Sequence, residues 1–157
     1  MFNKTFFKFL GAGLVIAVLG LAVVYGLDYY LYRKSPEYQA QKYFKDLEKR
    51  YAEDTYGGAT PEETLRLFVD ALKKGDIELA SRYFVVEKQE EWRKTLATAK
   101  ENNNLHLYID EVQKANPGKK ISAGKYLFTT VGSDGVAKFV ISLVINPTTN
   151  RWKIEDL

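Results

Sequence analysis

Residues 60–84, TPEETLRLFVDALKKGDIELASRYF, contain two helix starts in one short run. Thr60 is placed to cap a helix, and Pro61 suits the first helical position, where no backbone N–H is needed. Glu63, three residues after the cap, completes a capping box. Leu65, Phe68, Val69 and Leu72 then recur at i, i+3, i+4 and i+7, which marks one face of a helix. Gly75 is suited to end that helix in a left-handed conformation. Asp76 caps a second, shorter helix that turns Ile77, Ala80, Tyr83 and Phe84 inward. Two helices joined through Lys74-Gly75-Asp76 make a bent pair and not one rod.

Downstream, a third helical pattern runs from Gln89 to Lys100 with Trp92, Leu96 and Ala99 inward, and Asn102-Asn103-Asn104 breaks it. A fourth, carried by Leu105, Tyr108, Ile109 and Val112, ends before Asn116-Pro117-Gly118. The apolar period then falls from 3.6 to 2. Lys125–Val131 reads as a strand, Gly132-Ser133-Asp134-Gly135 as a hairpin turn, Val136–Asn146 as a long strand, and Arg151–Glu155 as a third. Helices followed by an antiparallel meander predict an α+β domain with helices on one face of the sheet.

Upstream, Phe9–Leu27 is an apolar run of 19 residues without a charge. As a helix it spans about 28 Å, close to the hydrocarbon thickness of a bilayer. Phe2, Phe6 and Phe7 flank it on one side and Tyr25, Tyr29, Tyr30 and Tyr32 on the other, where aromatic rings favour the membrane interface. A cleaved signal peptide would carry a shorter apolar region ending in a small-x-small site, and Gly20-Leu21-Ala22 lies inside the run. The expectation is an uncleaved anchor over residues 1–34, with the N-terminus cytoplasmic and the domain extracytoplasmic. Residues 35–58 follow as a juxtamembrane helical stalk, started by Ser35-Pro36 and striped with Ala40, Phe44, Leu47 and Tyr51. Residues 59–157 form the domain.

The chain carries a net charge of +3. Lys4, Lys8, Arg33 and Lys34 against Asp28 account for all of it, which leaves residues 35–157 balanced. A nucleic-acid partner, which requires a clustered basic face, is not expected. The chain has no cysteine and one histidine, so the usual cysteine- and histidine-rich metal sites are not expected either, and no cofactor motif is found. Gly11-x-Gly13 lacks the preceding strand and third glycine of a dinucleotide fingerprint.

Thr60-Pro61-Glu62-Glu63, the Phe68-x-x-Ala71-Leu72 face, Gly75-Asp76, Ala80, Tyr83-Phe84 and the ending Trp152-Lys153-Ile154-Glu155 resemble NTF2-like domains. They are most similar to the small membrane-anchored or secreted bacterial type, over about residues 59–157. The resemblance implies a cone of helices packed on a curved sheet, also described as cystatin-like, with a strand between the second and third helices where Val85-Val86 stand. It implies a pocket, for which Tyr83, Trp92, His106 and Tyr108 are the candidate lining residues. Catalytic residues are not assigned: the histidine and aspartate dyads of the superfamily's enzymes have no counterpart here. His106 stands four residues before Asp110 and could pair with it as a general base, yet no nucleophile or second acid is placed beside them. Glu90-Glu91 and Asp110-Glu111 read as solvated helix faces, since neighbours on a helix point about 100° apart.

The middle strand is apolar on both faces, with Phe139, Ile141, Leu143 and Ile145 on one and Val140 and Val144 on the other. Helices cover the first face. Val140, Val144, Leu127 and Val131 therefore form a candidate interaction face, covered by a second copy of the chain or by the stalk through Phe44, Leu47 and Tyr51. The function these features imply is a membrane-anchored extracytoplasmic binding or scaffolding module. The competing class is an isomerase- or hydrolase-like enzyme using the pocket.

Overall fold

The computed structural model describes residues 4–131 and 137–157, with the side chains of residues 18–115, 118–131 and 139–157. The chain divides into two units, Met1–Asp46 and Leu47–Leu157. In the first, α1 (Lys4–Lys34) is one continuous helix, and every described side chain from Val18 to Lys34 is exposed. Among the described residues no helix is long and apolar enough to cross a membrane. The side chains of residues 9–17, half of the expected membrane run, lie outside them. Ser35 interrupts the helix and its Oγ accepts the Tyr38 N–H at 3.2 Å, which starts α2 (Pro36–Glu53). The last turns of α2, from Leu47, belong to the second unit.

That unit is α+β, as its apolar periods predict. Helices α3 (Pro61–Lys73), α4 (Ile77–Ser81), α5 (Gln89–Glu101) and α6 (Leu105–Lys114) precede a four-stranded antiparallel meander. The strands are β1 (Asn116–Ser122), β2 (Lys125–Val131), β3 (Ala137–Ile145) and β4 (Trp152–Asp156), in that spatial order. Thr60 Oγ1 accepts the Glu63 N–H at 3.1 Å, and Asp76 Oδ1 accepts the Leu79 N–H at 3.0 Å, so both expected caps form. The Glu63 carboxylate closes its box on the Ala59 N–H, one residue before the cap. Gly75 adopts φ +67°, the left-handed stop that a residue with a Cβ resists.

Two expectations need correction. The sheet has a fourth strand, β1, in NPGKKIS, where proline, glycine and lysines hide any alternation. It is an edge strand with register shifts on both sides of Lys119-Lys120, the setting in which a sheet tolerates proline. Gly118 is needed there because a Cβ would collide with the Tyr126 ring and sit 2.7 Å from the Leu127 carbonyl oxygen. At Val85-Val86 no strand forms; the contact with the sheet is a single parallel bridge, Phe84 to Ile154. The expected turn at 132–135 lies outside the described residues.

Phe68, Ala80, Phe84, Leu96, Ile141, Leu143 and Ile154 are fully buried between the helices and one face of the sheet. The Phe68 ring meets Phe84 edge-on at 5.4 Å, and Phe84 stacks on Trp92 at 4.3 Å. Pairing of Leu127 with Ser142 and Thr129 with Val140 puts these residues, with Val144 and Lys153, on the opposite face. There Lys153 is wholly buried, and its Nζ donates to Asp54 Oδ2 at 2.6 Å, to the Arg82 carbonyl at 2.5 Å and to the Tyr56 carbonyl at 3.3 Å. Asn146, buried beside it, donates to the Tyr51 carbonyl at 3.0 Å. The chain from Tyr51 to Tyr56 thus covers the β4 side of the second face.

Two substitutions rank the core against the cap. Phe68→Ala is expected to cost about 3–5 kcal/mol through lost burial and the cavity left behind. Thr60→Ala should cost about 1 kcal/mol through the lost cap, and urea denaturation with the reverse order would refute this helix placement. Asp54→Ala alone, which strands the buried ammonium, should cost about 3–5 kcal/mol. Replacing Asp54 with Leu and Lys153 with Met together should recover most of that loss; additive losses would show that the pair's geometry, and not charge compensation, dominates.

Candidate functional site

A cavity of about 540 Å³ opens between α5, α6 and β3. Thr95, Thr98 and Ala99 come from α5, and Asn102 and Asn104 from the turn that follows it. Leu107, Tyr108 and Glu111 come from α6, and Phe139 from β3. Residues three and four apart share a helix face, so Leu107, Tyr108 and Glu111 point the same way. Glu111 is the one carboxylate in this lining, and its Oε2 accepts the Thr130 hydroxyl of β2 at 3.3 Å. A mostly apolar cleft with one carboxylate and a few amides and hydroxyls is suited to a ligand with an apolar body and a hydrogen-bond donor or cation at one end.

Of the four residues expected to line a pocket, Tyr108 lines this one. Trp92 stands behind it: half-buried, it meets Tyr108 edge-on at 6.2 Å and stacks on Phe84. Tyr83 is in the core at 6% exposure, where burial, followed by Asp70 and Asp76, raises its phenol pKa above the ordinary value. His106 is exposed, its Nδ1 2.9 Å from the Asn103 carbonyl, and so lies at a helix start and not in the cavity. Asp110 is exposed on the same helix. Among the described residues no cluster of three or more histidine, cysteine or acidic side chains is placed to hold a metal ion.

The paired acids diverge. Glu90 is exposed and takes two hydrogen bonds of 2.8 Å from Arg93, which pulls its carboxyl down to about 2. Glu111, in contrast, turns inward, where its place beside Asp110 predicts a solvated face. The available signal was its spacing of three and four from Tyr108 and Leu107.

On the second face of the sheet, Val131 and Val140 are 49% and 47% exposed, and Leu127 and Val144 are half-buried. Between them, Glu155 Oε2 accepts from Lys125 Nζ at 2.7 Å and from the Ser142 hydroxyl at 3.1 Å. Of the stalk residues expected to cover this face, Leu47 is half-buried, the Tyr51 hydroxyl donates to the Glu87 carboxylate, and Phe44 is 61% exposed. Comparison with family models, curated proteins and solved structures finds no match to this chain.

The Glu155 cluster gives a pH prediction. The Lys125 hydrogen bond, against a smaller opposing effect of burial, holds the Glu155 carboxyl below the ordinary carboxylate range. A depressed folded-state value means stabilisation that is present above the unfolded value and lost as pH falls through the folded one. Carbon-detected NMR titration should find the Glu155 carboxyl titrating below the ordinary glutamate range, and Lys125→Gln should move its titration upward. A titration unchanged by Lys125→Gln would show that this pairing is not maintained in solution.

Proposed function

We propose that the protein is a single-pass, membrane-anchored binding module of the NTF2-like type, with its domain outside the cytoplasm. The observation that carries this reading is the apolar part of α1. Val18, Leu19, Leu21, Val23, Val24 and Leu27 are each more than half exposed, and the uncharged run continues back to Phe9. Apolar side chains exposed all around the described turns of a helix are stable in an apolar medium and not in water. Lys4 and Lys8, ahead of the apolar run, favour a cytoplasmic N-terminus. The resemblance of residues 59–157 to NTF2-like domains and the α+β layout support the domain assignment.

The cavity at Tyr108 and Glu111 is the ligand site in this reading, and the half-exposed Val131 and Val140 offer a face for self-association. An enzyme using the same cavity is the second reading, favoured by Glu111, which could accept a proton from a bound substrate.

Fractionation and sizing test both levels. The full chain should stay in the membrane pellet after alkaline wash with an intact N-terminus, and external protease should remove its domain from whole cells. A soluble chain beginning near Val23 would end the anchor reading. In detergent the full chain should sediment as a dimer that Val140→Lys dissociates; a monomer in both cases would remove the self-association face. Turnover lost on Glu111→Gln would move the assignment to the enzyme.

A further inference from the structure

Where α1 meets α2, two cations are fixed against aromatic rings. The Arg33 guanidinium carbon lies 5.5 Å from the centre of the Tyr29 ring and 5.7 Å from that of Tyr38, and Arg33 Nε donates to the Tyr38 hydroxyl at 3.4 Å. Lys34 Nζ lies 4.5 Å from the centre of the Tyr30 ring. The Tyr32 and Tyr38 rings meet edge-on at 5.2 Å, and Gln39 Nε2 donates to the Arg33 carbonyl at 2.6 Å, which clamps the start of α2 over the end of α1. Among the described residues, no carboxylate lies within 4.0 Å of either Arg33 or Lys34. The ion pairs among the described residues belong to α2 or the domain beyond it, where charge is balanced.

We propose that this collar is a binding site for the phosphodiester headgroup of anionic phospholipids. The inference rests on α1 being the anchor, because the collar then begins two residues beyond the apolar run, at headgroup depth. Tyrosine rings hold the guanidinium and ammonium in place without neutralising them, and beyond the Arg33 Nε bond to Tyr38 the Arg33 Nη and Lys34 Nζ donors remain open to an anion. Arginine presents a donor fork that matches two phosphate oxygens, and lysine adds a point charge beside it. A juxtamembrane cation gains from a negative membrane surface, and the neutral domain neither adds to nor opposes that attraction. A free anion in water would meet one exposed face of the collar, whereas a headgroup arrives with its acyl chains against Leu27 and Leu31, both exposed on the same helix. The occupant is therefore a lipid.

The full chain, with ¹³C-labelled arginine guanidinium groups, is reconstituted in phosphatidylglycerol vesicles in phosphate-free buffer, where lipid is the sole source of phosphorus. Carbon–phosphorus dipolar dephasing by solid-state NMR should be strong for one arginine and be lost in Arg33→Gln, with partial recovery in Arg33→Lys when lysine is labelled instead. Vesicles of phosphatidylcholine alone should give weaker dephasing at Arg33. A chain that stays in the vesicles after alkaline wash but shows no Arg33 dephasing, or equal dephasing in both lipids, overturns the headgroup site and leaves the anchor intact. A chain released by the wash overturns the anchor and the site together.

Discussion

A lysine ammonium with no access to water organises the second unit. Burying Lys153 costs its hydration, and burial is the largest influence on its pKa, lowering it despite the opposing pull of Asp54. An ammonium has three protons to place. The fold supplies three acceptors from distant parts of the chain: the Asp54 carboxylate, the Tyr56 carbonyl and the Arg82 carbonyl. Gln89 then donates to Asp54 Oδ2 at 3.1 Å and to the Phe84 carbonyl at 3.2 Å, which brings the start of α5 into the same network. The end of α2, the turn after α4, the head of α5 and β4 cannot be moved separately without leaving a buried charge unpaired.

The candidate site inherits its position from that constraint. Arg82 is held by Lys153, while the Tyr83 carbonyl accepts the Ile154 N–H and the Val85 N–H returns to the Ile154 carbonyl, both at 2.9 Å. Phe84, between these anchors, has no freedom to slide. Its ring fixes Trp92 by stacking, and Trp92 fixes Tyr108 at the cavity. The same backbone contacts occupy the free edge of β4, with the Trp152 N–H donating to Gly58, so that edge is closed to another strand. Gly57, at φ +119°, lets the chain pass there, since a Cβ would collide with the Trp152 carbonyl oxygen.

What could be read from sequence follows the range of the forces involved. The α3–α4 pair is legible because its caps, its stop and its apolar face all lie within a few residues of one another. Strands β2 and β4 are legible because one face of each is pressed against helices and so must alternate, and β3 because a run of β-branched and aromatic residues, apolar on both faces, suits the middle of a sheet. β1 escaped because an edge strand bonded on one side needs no apolar alternation, and its proline and glycine mimic a turn. Lys153 was the least legible residue. In Trp-Lys-Ile-Glu a lysine alternating with apolar residues reads as solvent-facing, and only a carboxylate 99 residues away turns it into a core group. His106 drew attention by its chemistry, yet its place at the start of α6 faces it to water; Glu111, one turn further on, faces the cavity.

The second face of the sheet is neither a bare apolar patch nor a polar one, and that bears on what it can accept. At the β4 end the chain from Tyr51 to Tyr56 already covers it. At the other end Val131 and Val140 stand half in water. Between these ends, the Lys125–Glu155 pair is partly exposed and satisfied by its own hydrogen bonds. A partner that buried this region without polar groups of its own would desolvate the pair and lose more than two valines return. A second copy of the chain, related by a two-fold axis, would instead bring an identical Lys125–Glu155 pair across the interface, opposite in sense. A half-apolar face with a charged pair at its middle therefore disfavours partners that are apolar throughout.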